Sequence, residues 1–96
     1  MITRFIIVKV PEPKMAEAER TWKEVCGAKM IKVKGCLSEQ LLRGREVPGE
    51  YISMATWDSV ASIEAYRESK PHQEIREATR GLTNEPVVVK TYEIVG

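Results

Sequence analysis

The chain holds one histidine, His72, standing directly after Pro71 in the stretch "SKPHQEI". Imidazole is the side chain whose ordinary pKa lies nearest neutrality, so its surroundings decide whether acid–base chemistry is available. With Pro71 in the first turn of a helix, His72, Ile75, Thr79 and Leu82 fall at i, i+3, i+7 and i+10, on one face. His72 then points toward the body of the protein, where an imidazole needs a hydrogen-bond partner or a cavity. Two readings stand. It is a polar group lining a pocket between helices and sheet, or a satisfied, half-buried histidine holding a helix start. The positive end of a helix disfavours the imidazolium, which predicts a neutral ring at pH 7.

The remaining reactive residues suggest less. Cys26 and Cys36 match no C-x-x-C spacing and read as two buried, reduced thiols. The glycines at 27, 35, 44, 49, 81 and 96 are scattered and form no phosphate-cradling loop. No metal-ligand spacing occurs, so neither metal nor flavin is expected. The 15 basic and 14 acidic residues leave a net charge of +1, which gives no nucleic-acid footprint. The longest apolar run, "FIIV" from Phe5 to Val8, is four residues, too short for a membrane helix. With no signal peptide before the first strand, a cytoplasmic protein with no membrane partner is the expectation.

The elements that must position His72 follow from the breakers and the apolar spacing. Residues 1–96 read as one domain. Thr3 to Val10 is β-branched and aromatic up to Pro11, and predicts a first strand. "PEPK" starts a helix whose apolar stripe is Met15, Ala18, Trp22 and Val25, with Gly27 as its C-cap. Ala28 to Arg43 reads as a long strand bent by a bulge at Gly35. Pro48-Gly49 suits a type II turn before the strand Tyr51 to Trp57, which is apolar on both faces. Asp58 or Ser59 caps a helix carrying Val60, Ile63 and Tyr66 or Arg67 at helical spacing. The Ser69-Lys70-Pro71 break then restarts a second helix. Pro86 to Val95 predicts the last strand. The order is β-α-β-β-α-β with a broken second helix, an α+β, ferredoxin-like arrangement with an antiparallel four-stranded sheet. Helices cover one face only, and the apolar residues left on the other predict a second copy of the chain as its cover.

The segment "GEYISMATWDSVASIEAYRESKPHQEI", a strand ending in Trp-Asp-Ser, a helix, then Ser-x-x-His, resembles the antibiotic biosynthesis monooxygenase family. The closing "EPVVVKTYEIV" is similar to that family's last strand. The resemblance implies a homodimeric α+β barrel with a pocket in each subunit between the sheet and its own helices. Some members oxidise quinol-like or polycyclic aromatic compounds with molecular oxygen, without metal or flavin. It therefore implies His72 as the catalytic base or donor, with Trp57, Tyr66 and Ile75 as substrate-binding wall, and a small aromatic molecule as ligand. Core packing is the plainer reading for Trp57, and for Trp22 on the first helix. A haem-degrading branch of the family needs a histidine where this chain has Arg76 and an asparagine in the first strand, which "RFIIVKV" lacks, and that branch is disfavoured. Outside enzymes, the expectation is a non-catalytic dimeric module that binds a small ligand or a partner.

Overall fold

The computed structural model describes residues 1–83 and 85–96. Strand β1 (Ile2–Lys9) leads through a short 3-10 turn (Glu12–Lys14) into helix α1 (Met15–Thr21). The helix runs on through a π turn (Trp22–Cys26) into α2 (Gly27–Met30). Strands β2 (Cys36–Arg43) and β3 (Glu50–Trp57) follow, then α3 (Val60–Arg67), α4 (Lys70–Thr79) and β4 (Val88–Glu93). The sheet order is β2-β3-β1-β4, and every neighbouring pair is antiparallel. This is the ferredoxin-like arrangement that the alternation of elements predicts.

The region after Trp22 departs from the expectation. Gly27 does not cap the helix but lies inside it, at φ −63° and ψ −41°. A Cβ there would sit 3.1 Å from the Trp22 ring, so the missing side chain makes room for the indole. The helix continues to Met30, and the predicted long strand from Ala28 begins only at Cys36. The Ile31 to Lys34 alternation that suggested a strand is a turn, with Lys32 N–H donating to Lys29 O and Val33 N–H to Met30 O. Gly35 is not a bulge either. It takes φ +90° in that turn, its carbonyl accepts from Asp58 N–H at 2.9 Å, and a Cβ would lie 2.3 Å from Ser62 Oγ. The bulge falls between Cys36 and Ser38.

The second helical segment breaks where the residue types require it. Ser59 caps α3 by accepting from Ser62 N–H at 3.2 Å. Ser69, in extended backbone, caps α4 by accepting from His72 N–H at 3.4 Å, with Pro71 in the first turn. The Ser69 hydroxyl also donates to the Tyr66 carbonyl at the end of α3, so one serine joins both helices at the kink.

Register decides which side chains meet the helices. Pairing of Ile2 with Trp57, Arg4 with Ala55, Ile6 with Ser53 and Val8 with Tyr51 turns these residues to one face. On that face a core forms from Met30, Cys36, Ala55, Trp57, Ile63 and Tyr66, with Ile2, Val33 and Ile75 packed against it. The other face carries Phe5, Ile7, Ile52, Met54 and Tyr92, with the Phe5 and Tyr92 rings edge to face at 5.5 Å. Strand β4 is exposed along its whole length, as are Val87, Ile94 and Val95 flanking it.

The turn between β2 and β3 is the most demanding. Glu50 N–H donates to Val47 O, with Pro48 and Gly49 between them and Gly49 at φ +88°, as a type II turn requires. Val10 N–H donates to Gly49 O at 2.7 Å, and a Cβ on Gly49 would lie 2.2 Å from the Val10 carbonyl oxygen. Gly81 has a similar φ, +82°, with nothing within 4 Å of its Cβ position. Gly81→Ala should therefore cost about 1–2 kcal/mol, the left-handed conformational penalty alone. Gly49→Ala should cost roughly 2 kcal/mol more, since backbone must also move. Urea unfolding of the two variants checks the difference, and equal losses would mean that the β2–β3 turn yields freely.

Candidate functional site

The helix-facing side of the sheet carries polar groups where a plain core would have none. Arg4 on β1 and Glu39 on β2 both pair with Ala55 on β3, from opposite sides. They form a row across three strands, with Ala55 between an arginine and a glutamate. Arg4 is 9% exposed. Ser53, one pleat along from Ala55, donates its hydroxyl to Glu39 Oε1 at 2.7 Å. Glu39 Oε2 is buried with no hydrogen-bond partner among the described residues. Neither Arg4 nor Glu39 stands out in the sequence. Each occurs in a strand with other charged residues, and only the pairing shows that both face inward.

Above this row three rings stack in sequence. Trp57 is fully buried at the end of β3, and its ring centroid lies 5.3 Å from that of Tyr66 on α3. Tyr66 in turn lies 5.0 Å from His72 on α4, nearly perpendicular to it at 77°. The kink at Ser69 makes this contact, because it folds the start of α4 back beside the end of α3. Ile75, one turn on, packs against the same core from a half-buried position. Trp57, Tyr66, His72 and Ile75, singled out from the sequence, are thus neighbours. Trp57 Nε1 is buried and has no acceptor among the described residues.

Burial sets the protonation states. It pushes the Glu39 carboxyl up to about 7, while the Ser53 hydrogen bond and the Arg4 charge pull it down. It pushes the Tyr66 phenol up to about 12, against the attraction of Arg4. It lowers the pKa of His72, helped by the positive charges of Arg4, Arg76 and Arg67, with the Arg67 carbonyl acting the other way. His72 is accordingly neutral at pH 7. Cys26 and Cys36 are both free and buried, and burial followed by the Glu39 charge raises both thiols, Cys26 to about 11.

Open clefts indent the surface among the described residues. One, about 340 Å³, runs between the π turn and edge strand β2, lined by Glu19, Trp22, Lys23, Glu39, Leu41 and Tyr51 among others. Another lies on the outer face of α1, along Ala16, Glu19, Arg20, Lys23 and Glu24. Neither is lined by His72, Trp57, Tyr66 or Ile75, and the three rings among these are in contact, Trp57 with Tyr66 and Tyr66 with His72. Trp22, expected wholly in the core, is half-buried and walls the first cleft. No group of three His, Cys, Asp or Glu side chains among the described residues is placed to hold a metal ion. No helix among them is long and apolar enough to cross a membrane.

The Glu39 proton gives a test of this burial. The folded protein holds it up to about 7, whereas the unfolded carboxyl titrates near 4.5. Ionisation therefore penalises the folded state progressively as pH rises through that window, and the penalty is absent below it. Glu39→Gln keeps an acceptor for Ser53 and carries no charge. Its melting temperature should gain on the parent protein's as pH is raised from about 5 to about 8. A difference that stays constant over that range would show that the carboxyl is solvated in the folded protein.

Comparison with known proteins follows the fold closely. The family model described as antibiotic biosynthesis monooxygenase matches residues 1–78. A solved structure from Bordetella bronchiseptica, named as a candidate antibiotic biosynthesis monooxygenase, superposes with a TM-score of 0.90 at 23% identity, covering 98% of this chain and 96% of that one. A Nitrosomonas europaea structure similarly named gives a TM-score of 0.87 at 14% identity, with 100% of both chains covered. One from Caulobacter crescentus gives 0.87 at 20% identity over 99% of this chain and 90% of that one. No curated protein matches the sequence. At these identities the superpositions establish the fold. The family model spans the first three strands, both helical segments and the whole ring stack, and by it the chain belongs to the antibiotic biosynthesis monooxygenase family.

Proposed function

We propose that this protein is a cofactor-independent monooxygenase acting on a small hydroxylated aromatic compound, quinol-like or polycyclic and phenolic, and that it works as a homodimer. Family membership supports oxygen chemistry in general. The observation that carries the finer reading is the contact of a neutral, half-buried imidazole with the Trp57–Tyr66 ring stack. A neutral imidazole accepts a phenolic proton, and aromatic walls accept the ring that bore it.

In this scheme His72 takes the proton, and the electron-rich anion passes one electron to molecular oxygen. The resulting radicals combine into a substrate peroxide. Loss of water then leaves one oxygen atom as a carbonyl on the substrate and the other in the water. The protein supplies deprotonation, orientation and a dry surrounding. Trp57, Tyr66 and Ile75 form the wall. No metal or flavin enters the scheme.

A second reading has its own support. The three rings are in contact, and neither surface cleft reaches them. That packing favours a dimeric module that binds a ligand or partner without turnover. Oxygen uptake with a panel of hydroquinones and anthrones separates the two. Uptake that depends on both protein and substrate supports the enzyme, and saturable binding without uptake supports the module.

Replacing His72 with Ala should abolish uptake while shifting stability by only about 1 kcal/mol, a few degrees in melting temperature. If activity survives the change, or stability falls by several times that amount, the histidine is a packing residue. The dimer is tested separately. The exposed apolar groups of β4 and its flanks, and the helix-free face with Phe5, Ile7, Ile52 and Met54, need a cover that a second copy provides. Light scattering at micromolar concentration should give about twice the 10.9 kDa chain mass. A folded monomer would overturn this part.

A further inference from the structure

We infer that Arg4, with the indole N–H of Trp57, is the anion-holding part of the site, built to bind an aromatic ligand through a negatively charged oxygen. The inference deepens the proposed function and rests on its reading of the ring stack as ligand-facing. Four observations carry it. Arg4, 9% exposed as a residue, has no carboxylate within ion-pairing distance among the described residues, whose ion pairs are Lys29–Glu74 and Arg43–Glu19. Taking a charge out of water without a partner is costly, and proteins pair such charges or bind a counter-ion. Trp57 is fully buried, yet its Nε1–H has no acceptor among the described residues. A buried donor without an acceptor is likewise rare unless something fills the place.

The third observation is register. Arg4 pairs with Ala55, and Trp57 lies two residues along β3, so the two donors are diagonal neighbours on the same face of the sheet. Diagonal neighbours of this kind lie roughly 7–8 Å apart, within the combined reach of an arginine and an indole converging on one oxygen. Ala55, which pairs with Arg4 and precedes Trp57 on this face, carries only a methyl group. The fourth is the charge around the rings. Arg4, Arg67 and Arg76 all act on His72, and Arg4 and Arg67 act on each other. Tyr66 and, less strongly, Glu39 are the acidic groups that act on Arg4, and Glu39 Oε2 has no hydrogen-bond partner among the described residues.

A phenolate made by His72 and a ligand carboxylate present the same chemistry to Arg4. In the first case Arg4 stabilises the anion as it forms, and in the second it captures an anion already made. Stable probes separate them. Naphthoate is an aromatic anion needing no base, naphthalenemethanol is a neutral analogue of similar shape, and naphthol becomes an anion only by losing its proton. Affinities are read by calorimetry and by quenching of tryptophan fluorescence on the intact protein.

The expected result is that naphthoate binds about tenfold or more tightly than naphthalenemethanol, the preference a charge-assisted bond confers. Arg4→Gln should erase the preference, Arg4→Lys should keep part of it, and Trp57→Phe should weaken naphthoate a few-fold. His72→Ala should leave naphthoate binding intact while weakening naphthol, which marks phenolate as the natural anion. Naphthol binding unaffected by His72→Ala marks a carboxylate instead, and supports Arg4 while removing the base from the proposed function. Equal affinity for naphthoate and naphthalenemethanol in the parent protein would overturn the inference whatever oxygen uptake shows. So would undiminished naphthoate binding in Arg4→Gln and in Trp57→Phe. If no probe binds, both this inference and the ligand-facing reading of the ring stack fall.

Discussion

The candidate site hangs on the register of one strand. Strand β3 is hydrogen-bonded on both sides, to β1 and to β2, and its alternation sends Tyr51, Ser53, Ala55 and Trp57 toward the helices. A slip of one residue would exchange that set for Ile52, Met54 and Thr56 and turn Arg4 and Glu39 away from their neighbours. The Pro48-Gly49 turn holds β3 at one end, through the bond from Val10 to Gly49, and Gly35 holds the other through its bond from Asp58. Both glycines sit at positive φ with no room for a Cβ. Two tight turns thereby fix which chemistry faces inward.

Given that register, one physical cause accounts for the state of every titratable group in the site. Withdrawal from water disfavours whichever form is charged. The carboxyl of Glu39 rises, the phenol of Tyr66 rises, and the imidazole of His72 falls. The result is a neutral base, a neutral phenol and a carboxyl that shares its proton near neutrality, set around an arginine that stays charged. The kink at Ser69 contributes the last member, since a straight helix through this region would carry His72 away from Tyr66.

The sequence made the element order legible because its breakers are strong. Pro11, Pro48-Gly49, Ser59 and Ser69-Lys70-Pro71 each end or start an element as their chemistry demands. The histidine's position on an inward stripe was legible for the same reason. Residues 27–35 misled because Gly27, read as a terminator, serves the Trp22 ring, and because a short polar–apolar alternation can be a turn as well as a strand. Arg4 and Glu39 were invisible in isolation. Their burial is a property of pairing across β3, and nothing local to "TRF" or "SEQ" distinguishes an inward charge from an outward one. The π turn was equally hidden: plain helical spacing points to Val25, whereas the extra residue in the turn brings Cys26, and then Met30, to the buried side.

The two free thiols beside Glu39 have a consequence for how the protein ages. Sulfur is attacked by oxygen-derived species as thiolate, and both Cys26 and Cys36 are held protonated by burial and by a neighbouring negative charge. Ionisation of Glu39 strengthens that protection rather than relieving it. Thiols held protonated in this way resist oxidation to sulfenic acid, so the low-polarity surroundings that raise Glu39 and Tyr66 also protect the two sulfurs.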